Sequence, residues 1–435
     1  MVSNRPIRRL RITEDDSDLV LDLRESLAQI AALPPAMMTP GEASQYLSVA
    51  LDWGPQGSDP ARRPARRQFE DTANAILAEY AKHSPAARTL AVDIERVGRY
   101  LDNERIDRQF DVEPLPAAAQ GVLVFARADA DVFVALPLAV AVPTEVTVGP
   151  IPALATLARI ADDHATYAVL LADQKEASLV FVTQSRRERE VVAYGAEYPL
   201  KRKAGGSQRR YQARAGERHD QFTRAIADGT RQALDDAGVD VLIIAGDEVM
   251  TSPLNQFLHH TVANRIVGTV RLDITTPTQD LIDATLPLDE EAERGREAAA
   301  AAALRNAVES GGPGAAGPDA VLTALKQGQV ETLVMNDDFA AVGWADYSAD
   351  VAGIGAIPDR HPTGGERGQI VPIRAEDELI RRAILTGATY EIVRTEVPVP
   401  PAGEPVPRAE DERPRTDAGR QLDELGGVGA LLRFS

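Results

Sequence analysis

The sequence of 435 residues contains no cysteine, and this absence excludes several kinds of chemistry at once. Disulfide scaffolds, thiolate zinc sites, iron–sulfur clusters and cysteine nucleophiles all require a thiol. Aromatic residues make up only 5% of the chain, and no run approaches the ~20 apolar residues that a membrane span requires. Residues 1–16 are polar and charged, without the apolar core of a signal peptide. We therefore expect a cytoplasmic protein with no membrane partner.

Basic residues are outnumbered by acidic ones. The chain has 47 Lys and Arg residues and 66 Asp and Glu residues, so its net charge is −19. A field of this sign repels nucleic acid and anionic membranes. Any surface that binds anions must therefore be local. The apolar fraction of 44% and the charged fraction of 26% are typical of chains that fold.

The order of apolar patterns predicts a multidomain protein of the α/β and α+β classes. Residues 1–155 are predicted to form an N-terminal α+β domain. Residues 156–275 are predicted to form a central mixed sheet with flanking helices, in which an antiparallel meander is followed by a β-α-β unit. Residues 276–435 are predicted to form a C-terminal α/β sandwich, interrupted by an excursion over 397–416 that is rich in proline and acid.

Individual elements follow from the periodicity of apolar residues. In the first two regions we predict helices over 18–32, 216–236 and 253–264, and strands over 46–52, 122–125, 131–135, 167–172, 178–183, 190–194 and 265–273. In the third region we predict helices over 281–310, 319–327 and 376–386, and strands over 330–335, 388–394 and 428–434. The run from Asp240 to Ala245 is apolar almost throughout, which is typical of a strand covered on both faces.

The most unusual stretch runs from Lys201 to Arg218 and holds seven Lys or Arg residues against one Glu, a local charge of about +6. Glycine permits close approach of the backbone to phosphate, and Lys or Arg neutralises phosphate charge. This composition favours an RNA-binding or phosphate-binding loop, although a solvated loop whose cations pair with acids elsewhere would have the same composition. The candidate binding residues are Lys201, Arg202, Lys203, Gly205, Gly206, Ser207, Gln208, Arg209, Arg210, Arg214, Arg218 and His219.

This stretch resembles a known family. The order of a sheet, a basic Gly-Gly loop, a glutamine, several arginines and a helix opening at Glu217 is similar to the central domain of archaeal and eukaryotic class-I peptide chain release factors, whose tip reads Gly-Gly-Gln. Residues 241–246 stand in the place of that domain's next core strand. Residues 317–334 resemble the start of the family's third domain, and residues 426–434 resemble the end of its bacterial members, including the Balon type of ribosome hibernation factor.

One departure from the family pattern limits the chemistry that the resemblance implies. In release factors the glutamine follows the two glycines directly and helps to position water against the ester that joins peptide to tRNA, while a backbone amide stabilises the oxyanion. Here Ser207 holds that position and Gln208 comes one residue later, a displacement of ~3.5 Å. Reacting groups must be placed within ~0.5 Å. We therefore do not expect peptide release, and residues 1–155 contain no stop-codon-reading motif of these factors.

The resemblance implies a ribosome-binding translation factor that contacts ribosomal RNA and peptidyl-tRNA and occupies the aminoacyl site, in hibernation or rescue. It also implies that the third domain contacts a translational GTPase such as elongation factor Tu, or the base of the ribosomal stalk. Two alternatives stay open: a peptidyl-tRNA ester hydrolase in which Gln208 is the catalytic candidate, and an RNA-binding protein unrelated to ribosomes.

Other motifs favour no cofactor and no metal. The adjacent His259 and His260 lie in no HExxH pattern. The glycines at 311, 312 and 314 lack the Lys-Ser/Thr of a phosphate-binding loop and predict a linker. Asp247 and Glu248 follow a core strand, where they could form a catalytic pair or cap a helix.

Overall fold

The computed structural model of the chain describes residues 9–12, 23–36, 45–54, 64–104, 114–117, 119–173, 176–183, 189–195, 208–246, 254, 258, 260–397 and 414–434. By its contacts the chain divides into two compact units. The central unit comprises Met1–Val20 and His164–Gly295, and the composite unit comprises Leu21–Asp163 and Arg296–Ser435. The division into three domains at about residues 155 and 275 stays a prediction.

The strands are β1 (Arg9–Ile12), β2 (Tyr46–Asp52), β3 (Gly121–Arg127), β4 (Val132–Leu138), β5 (Glu145–Gly149), β6 (Tyr167–Ala172), β7 (Glu176–Val182), β8 (Arg189–Gly195), β9 (Leu242–Gly246), β10 (Ile266–Val270), β11 (Gly314–Ala316), β12 (Val330–Asn336), β13 (Val342–Asp346), β14 (Val351–Ile354), β15 (Val371–Arg374), β16 (Thr389–Val393) and β17 (Val428–Leu432). The helices are α1 (Leu23–Ala31), α2 (Pro64–Glu79), α3 (Pro85–Leu101), α4 (Ala155–Asp163), α5 (Gln208–Ala237), α6 (His260–Ala263), α7 (Thr278–Glu309), α8 (Pro318–Lys326), α9 (Ala375–Leu385) and α10 (Asp417–Asp423). Among the described residues, no helix has the length and apolar composition needed to cross a membrane.

The central unit is built on a six-stranded mixed sheet in the order β1-β8-β7-β6-β9-β10. Strands β6, β7 and β8 form the predicted antiparallel meander, while β9 runs parallel to both β6 and β10. Strand β6 has the predicted bounds, because its six residues are uniformly apolar and end before a polar turn. The predicted mixed sheet with flanking helices is confirmed.

Strands β6 and β9 are apolar on both faces because a helix covers each face. On one face, Leu170 and Ile244 share an apolar cluster with Leu234 of α5. On the other face, Val169 shares a second cluster with Leu281 of α7. The two helices therefore lie on opposite faces of the sheet, and the strand formed from the apolar run before Gly246 is covered on both faces, as predicted.

Strands β6 and β9 approach each other closely where both end. Gly246 is paired with Ala172 and has a φ of +152°. A Cβ atom at Gly246 would lie 2.3 Å from the carbonyl oxygen of Ala172, closer than van der Waals contact permits. This position therefore requires glycine.

The first part of the composite unit is an antiparallel sheet in the order β4-β3-β2-β5. The predicted hairpin is confirmed as the pair β3 and β4, and β2 has the predicted bounds. Helices α2 and α3 cover one face, where the rings of Tyr100 and Phe133 pack edge to face at 6.0 Å. Helix α3, which begins after the N-capping hydroxyl of Ser84, was not predicted.

The other face of this sheet belongs to a core shared with the C-terminal part of the chain. Phe125 of β3 and Leu157 of α4 lie in one apolar cluster with Leu333 of β12 and Leu379 of α9. The N-terminal and C-terminal parts of the composite unit therefore fold around a common core.

The C-terminal part confirms the predicted α/β sandwich. Its sheet has the order β11-β17-β12-β16. Helices α8 and α9 cover one face, and α10 with the last turns of α7 covers the other. A three-stranded antiparallel sheet in the order β14-β13-β15 was not predicted. Residues 398–413 of the predicted excursion lie outside the described residues, and Glu396 pairs with Arg415 at its base.

Buried carboxylates join the two parts of the composite unit. The Asp377 Oδ1 atom accepts hydrogen bonds from the backbone amides of Leu154 at 2.7 Å and Ala155 at 2.9 Å, so a residue of α9 caps the start of α4. The Asp162 Oδ2 atom accepts a hydrogen bond from the backbone amide of Ile392 at 2.7 Å. Burial, with the neighbouring Glu391 carboxylate, raises the pKa of Asp162 to about 8.

Replacing Gly246 with alanine should destabilise the central unit, because the new methyl group would collide with the Ala172 carbonyl oxygen. We expect a loss of about 1–3 kcal/mol in the free energy of unfolding, measured by denaturant titration. A Cβ atom at Gly295 in α7 would have open space around it, with no neighbouring side chain within 4 Å, so Gly295→Ala should be neutral or stabilise the helix by about 0.5–1 kcal/mol. Equal effects of the two substitutions would contradict the close approach of β6 and β9.

Replacing Asp162 with asparagine should weaken the pH dependence of stability. A carboxyl group with a folded pKa of about 8 and an unfolded pKa of about 3.9 binds its proton more tightly in the folded state. Its contribution to stability is therefore present below pH 4 and is lost as the pH rises through 8, at about 1.4 kcal/mol per pH unit. Asp162→Asn retains an acceptor for the Ile392 amide, and thermal unfolding between pH 5 and 9 should show a shallower decline. The exposed Asp359→Asn should decline like the parent protein, and an unchanged slope in Asp162→Asn would show that this carboxyl group does not titrate in that range.

Candidate nucleic-acid interface

The basic segment lies on the connection between β8 and β9. Because β8 and β6 are each antiparallel to β7, β8 runs parallel to β6 and β9. The chain leaves β8 after Gly195, enters α5 at Gln208 and leaves α5 at Ala237, shortly before β9. The connection therefore starts at the carboxyl edge of the sheet, and α5 returns to the opposite edge.

Helix α5 is longer than the strands on which it packs. Its 30 residues span about 45 Å, while the six residues of β6 span about 20 Å. Helix α5 ends at Ala237, at the opposite edge of the sheet, and in its second half Thr223, Ile226, Thr230 and Leu234 are fully buried. The first half, residues 208–222, must therefore extend beyond the carboxyl edge by about 20 Å.

Helix α5 begins eight residues before the predicted start at 216, so the interpretation of Gln208 to Arg214 as part of a loop is wrong. The physical reason is local propensity, since Gln, Arg and Ala are strong helix formers. Serine, present at position 207, is favoured immediately before a helix. The glycine pattern of the resembling family suggested a longer loop than this sequence forms.

The structure places the predicted binding residues in two groups. Those in the first group lie outside the described residues: Lys201, Arg202, Lys203, Gly205, Gly206 and Ser207. Those in the second group lie on the first half of α5: Gln208, Arg209, Arg210, Arg214, Arg218 and His219. Asp247, Glu248 and His259 also lie outside the described residues.

The charge pattern on the first half of α5 opposes helix stability. The first turn contains Arg209 and Arg210 and no acidic residue, although the positive end of the helix dipole lies there. Arg210, Arg214 and Arg218 are spaced by four, which places them on one face, and like charges at this spacing repel by about 0.2–0.5 kcal/mol per pair. An anion bound along this face would remove both penalties. Phosphate binding by these residues stays a prediction.

Gln208 is the first residue of α5. The glutamine that follows two glycines in release factors is instead preceded here by Ser207 and begins a regular helix. The expectation that ester hydrolysis is absent stays a prediction.

The comparisons with known proteins find a family match in the part of the chain that contains strands β6 to β10. Residues 152–308 match the family model described as bacterial archaeo-eukaryotic release factor family 10. This range contains every element from α4 to the last turns of α7, including the sheet strands β6 to β10 and helix α5. Residues 152–308 are therefore similar to bacterial release factors of the archaeo-eukaryotic type. The resemblance found in the sequence is thereby confirmed.

Solved structures of this superfamily are also similar to the chain. An archaeal translation termination factor, aRF1, is 15% identical, covers 94% of this chain and 98% of its own, and has a TM-score of 0.24. Pelota from Archaeoglobus fulgidus is 16% identical, covers 72% of this chain and 79% of its own, and has a TM-score of 0.28. Dom34 from S. cerevisiae is 10% identical, covers 68% of this chain and 75% of its own, and has a TM-score of 0.36.

These three TM-scores are below 0.5, and the likeness to the family therefore rests on the match over residues 152–308. No curated protein matches the chain.

Proposed function

We propose that this release-factor-like protein binds the ribosome near the aminoacyl site, with its basic segment against ribosomal RNA, and acts in hibernation or rescue. One observation carries the proposal. A segment of about +6 within a chain of net charge −19 leads into a helix whose first half extends past the sheet. Both lie in the part of the chain that matches the release factor family.

The acidic remainder of the chain gives this segment an orienting role. The rest of the molecule carries a net negative charge, which opposes its approach to RNA. The basic segment is attracted and would bring the carboxyl edge of the central sheet towards RNA.

Occupation without hydrolysis fits the segment better than peptide release. A binding surface requires only cations at the right spacing, and Arg210, Arg214 and Arg218 supply them along one helical face. Hydrolysis requires a glutamine held against the ester, and Ser207 takes the position that the family gives to that glutamine.

Protein partners of this chain are inferred only by analogy with similar proteins. Dom34, one of the similar proteins, interacts with Hbs1. By analogy, residues 276–435 would contact a translational GTPase such as elongation factor Tu, and the protein would act in the cytoplasm without a cofactor.

Ribosome binding should depend steeply on salt. Each phosphate neutralised contributes ~0.7 to 0.9 to the slope of log affinity against log salt. Replacing Arg209 and Arg210 with alanine should lower both the affinity and this slope in sedimentation with purified ribosomes.

The matched control removes two cations from the composite unit, Arg67 and Arg360, which are both exposed. Arg67→Ala with Arg360→Ala should leave the slope unchanged. Undiminished sedimentation after charge reversal at all seven cations from Lys201 to Arg218 would refute the proposed binding surface.

The protein should not release peptide from peptidyl-tRNA on programmed ribosomes. Deleting Ser207, which restores the Gly-Gly-Gln order, is the single change most suited to create activity, because it removes the ~3.5 Å displacement. Release by the parent protein well above background, abolished by Gln208→Ala, would replace the binding-only proposal with the hydrolase. Gln212→Ala, one turn further along α5, is the control for loss of a helix amide.

A further inference from the structure

Residues 355–370 connect β14 with β15, the two outer strands of the three-stranded sheet. Strand β14 ends at Ile354, opposite Gly343, whereas β15 begins at Val371, opposite Ala345. The connection must therefore pass from one side of β13 to the other. One face of the sheet packs into the shared core of the composite unit through Ala345. The connection is therefore expected to cross the opposite face, which we call the outer face.

A buried histidine fixes the connection to the outer face. Because neighbouring residues of a strand face opposite sides of a sheet, Asp346 lies on the face opposite Ala345. The Nε2 atom of His361 lies 2.9 Å from the Oδ2 atom of Asp346, and the two side chains are 1% and 3% exposed. His361 is therefore buried against the outer face. We call residues 355–370 the strap.

The hydrogen bonds of His361 define its tautomer. The Nδ1 atom accepts hydrogen bonds from the backbone amides of Thr363 at 3.2 Å and Gly365 at 3.0 Å. The ring proton is therefore on Nε2 and is donated to Asp346. Burial opposes the charged form of Asp346, but hydrogen bonds from Ser348 and His361 lower the pKa of this carboxyl group. One imidazole ring thus joins the strap to the sheet and also orders the strap internally.

The strap has little apolar packing of its own. Of residues 355–369, all of which the structure describes, only His361 is buried. Ile357 and Pro358 are half-buried, and every residue over 362–369 is exposed. At the start of the strap, Gly355 has a φ of +89° and open space where a Cβ atom would lie. Segments with few buried apolar contacts open locally more easily than the core does.

A polar attachment favours two discrete positions of the strap. A small displacement would leave Asp346 and the ring nitrogens buried without hydrogen-bond partners, and such a state is costly. Full opening returns these groups to water. The bond from Arg367 Nε to the Pro358 carbonyl oxygen, at 3.3 Å, lies within the strap and can move with it. An apolar anchor would resist opening without separating the two positions in this way.

We infer that the strap is a conformational device of the composite unit, which opens as one segment about Gly355 and is held closed by the His361–Asp346 pair. Opening exposes to water the end of the outer face that carries Asp346, a face shared with the half-buried Trp344. The inference is independent of the proposed function, since the strap lies outside the residues that match the family model.

Hydrogen exchange in the full-length protein tests the inference. The amides of Thr363 and Gly365 should exchange through one common opening, faster than the amides of β12. In Asp346→Asn, the side-chain amide faces Nε2, so the ring proton should move to Nδ1 and both strap amides should lose their acceptor. We expect their exchange to accelerate about 10- to 100-fold, with unchanged exchange in β12. The imidazole nitrogen chemical shifts should report the change of tautomer.

Two further variants complete the test. His361→Gln lacks the second ring nitrogen and should accelerate the same two amides, so it decides the question where Asp346→Asn does not fold. The exposed Asp359→Asn, within the strap, is the matched control and should leave all exchange rates unchanged.

Three results would overturn the inference. Equal exchange rates of the strap amides and the β12 amides in the parent protein would show that the strap opens only with the whole unit. Parent exchange rates and an unchanged tautomer in Asp346→Asn would show that the pair does not hold the strap. Faster exchange in the strap and in β12 alike would assign the pair to the stability of the whole unit.

Discussion

The double-sided burial of β6 and β9 is the constraint on which the rest of the central unit depends. Two adjacent parallel strands that are apolar on both faces must be covered on both faces, and α5 and α7 supply that cover. Since α5 connects β8 with β9, it must run from the carboxyl edge of the sheet to the opposite edge. The excess length of α5 then extends past the carboxyl edge, and this excess carries the arginines. The core therefore determines where the basic helix lies.

The two halves of α5 differ in how their charged residues affect the stability of the helix. The second half of α5 follows the rules of a stable surface helix, with a buried apolar stripe and an ion pair between Arg231 and Asp235 at 3.5 Å. The first half violates those rules at the helix dipole and along the stripe from Arg210 to Arg218. Departures from local consistency are expected where a sequence serves a ligand. In the composite unit, by contrast, buried carboxylates such as Asp377 accept hydrogen bonds from the protein's own backbone.

The sequence predicted the elements whose pattern is local and missed those that depend on distant partners. The bounds of β2 and β6 were correct because each is a short, mostly apolar run that ends at a polar residue. Strand β1 has only four residues, two of them arginine, and only its pairing with β8, about 180 residues away, makes it a strand. The sheet of β13, β14 and β15 consists of short strands of four or five residues, which give too little periodicity to detect.

The candidate site was predicted in part. The excess of basic residues in 201–218 and the position of this segment before the apolar run at 240–245 were evident from the sequence. The order of motifs indicated the family. The start of α5 was predicted too late, because Gly205, Gly206 and Gly216 disfavour a helix, whereas most of the residues from Gln208 to Ala215 favour one. The capping of α4 by Asp377 joins residues more than 220 positions apart, and no local pattern indicates it.

The central claim is that the basic start of α5 faces ribosomal RNA while the rest of the chain does not direct binding. A structure of the full-length protein on ribosomes recovered from stationary cells tests this claim most directly. We predict that residues 201–218 lie against ribosomal RNA near the peptidyl-transferase region, with the carboxyl edge of the central sheet turned towards it. A bound protein with this segment in solvent and another surface on the RNA would contradict the claim.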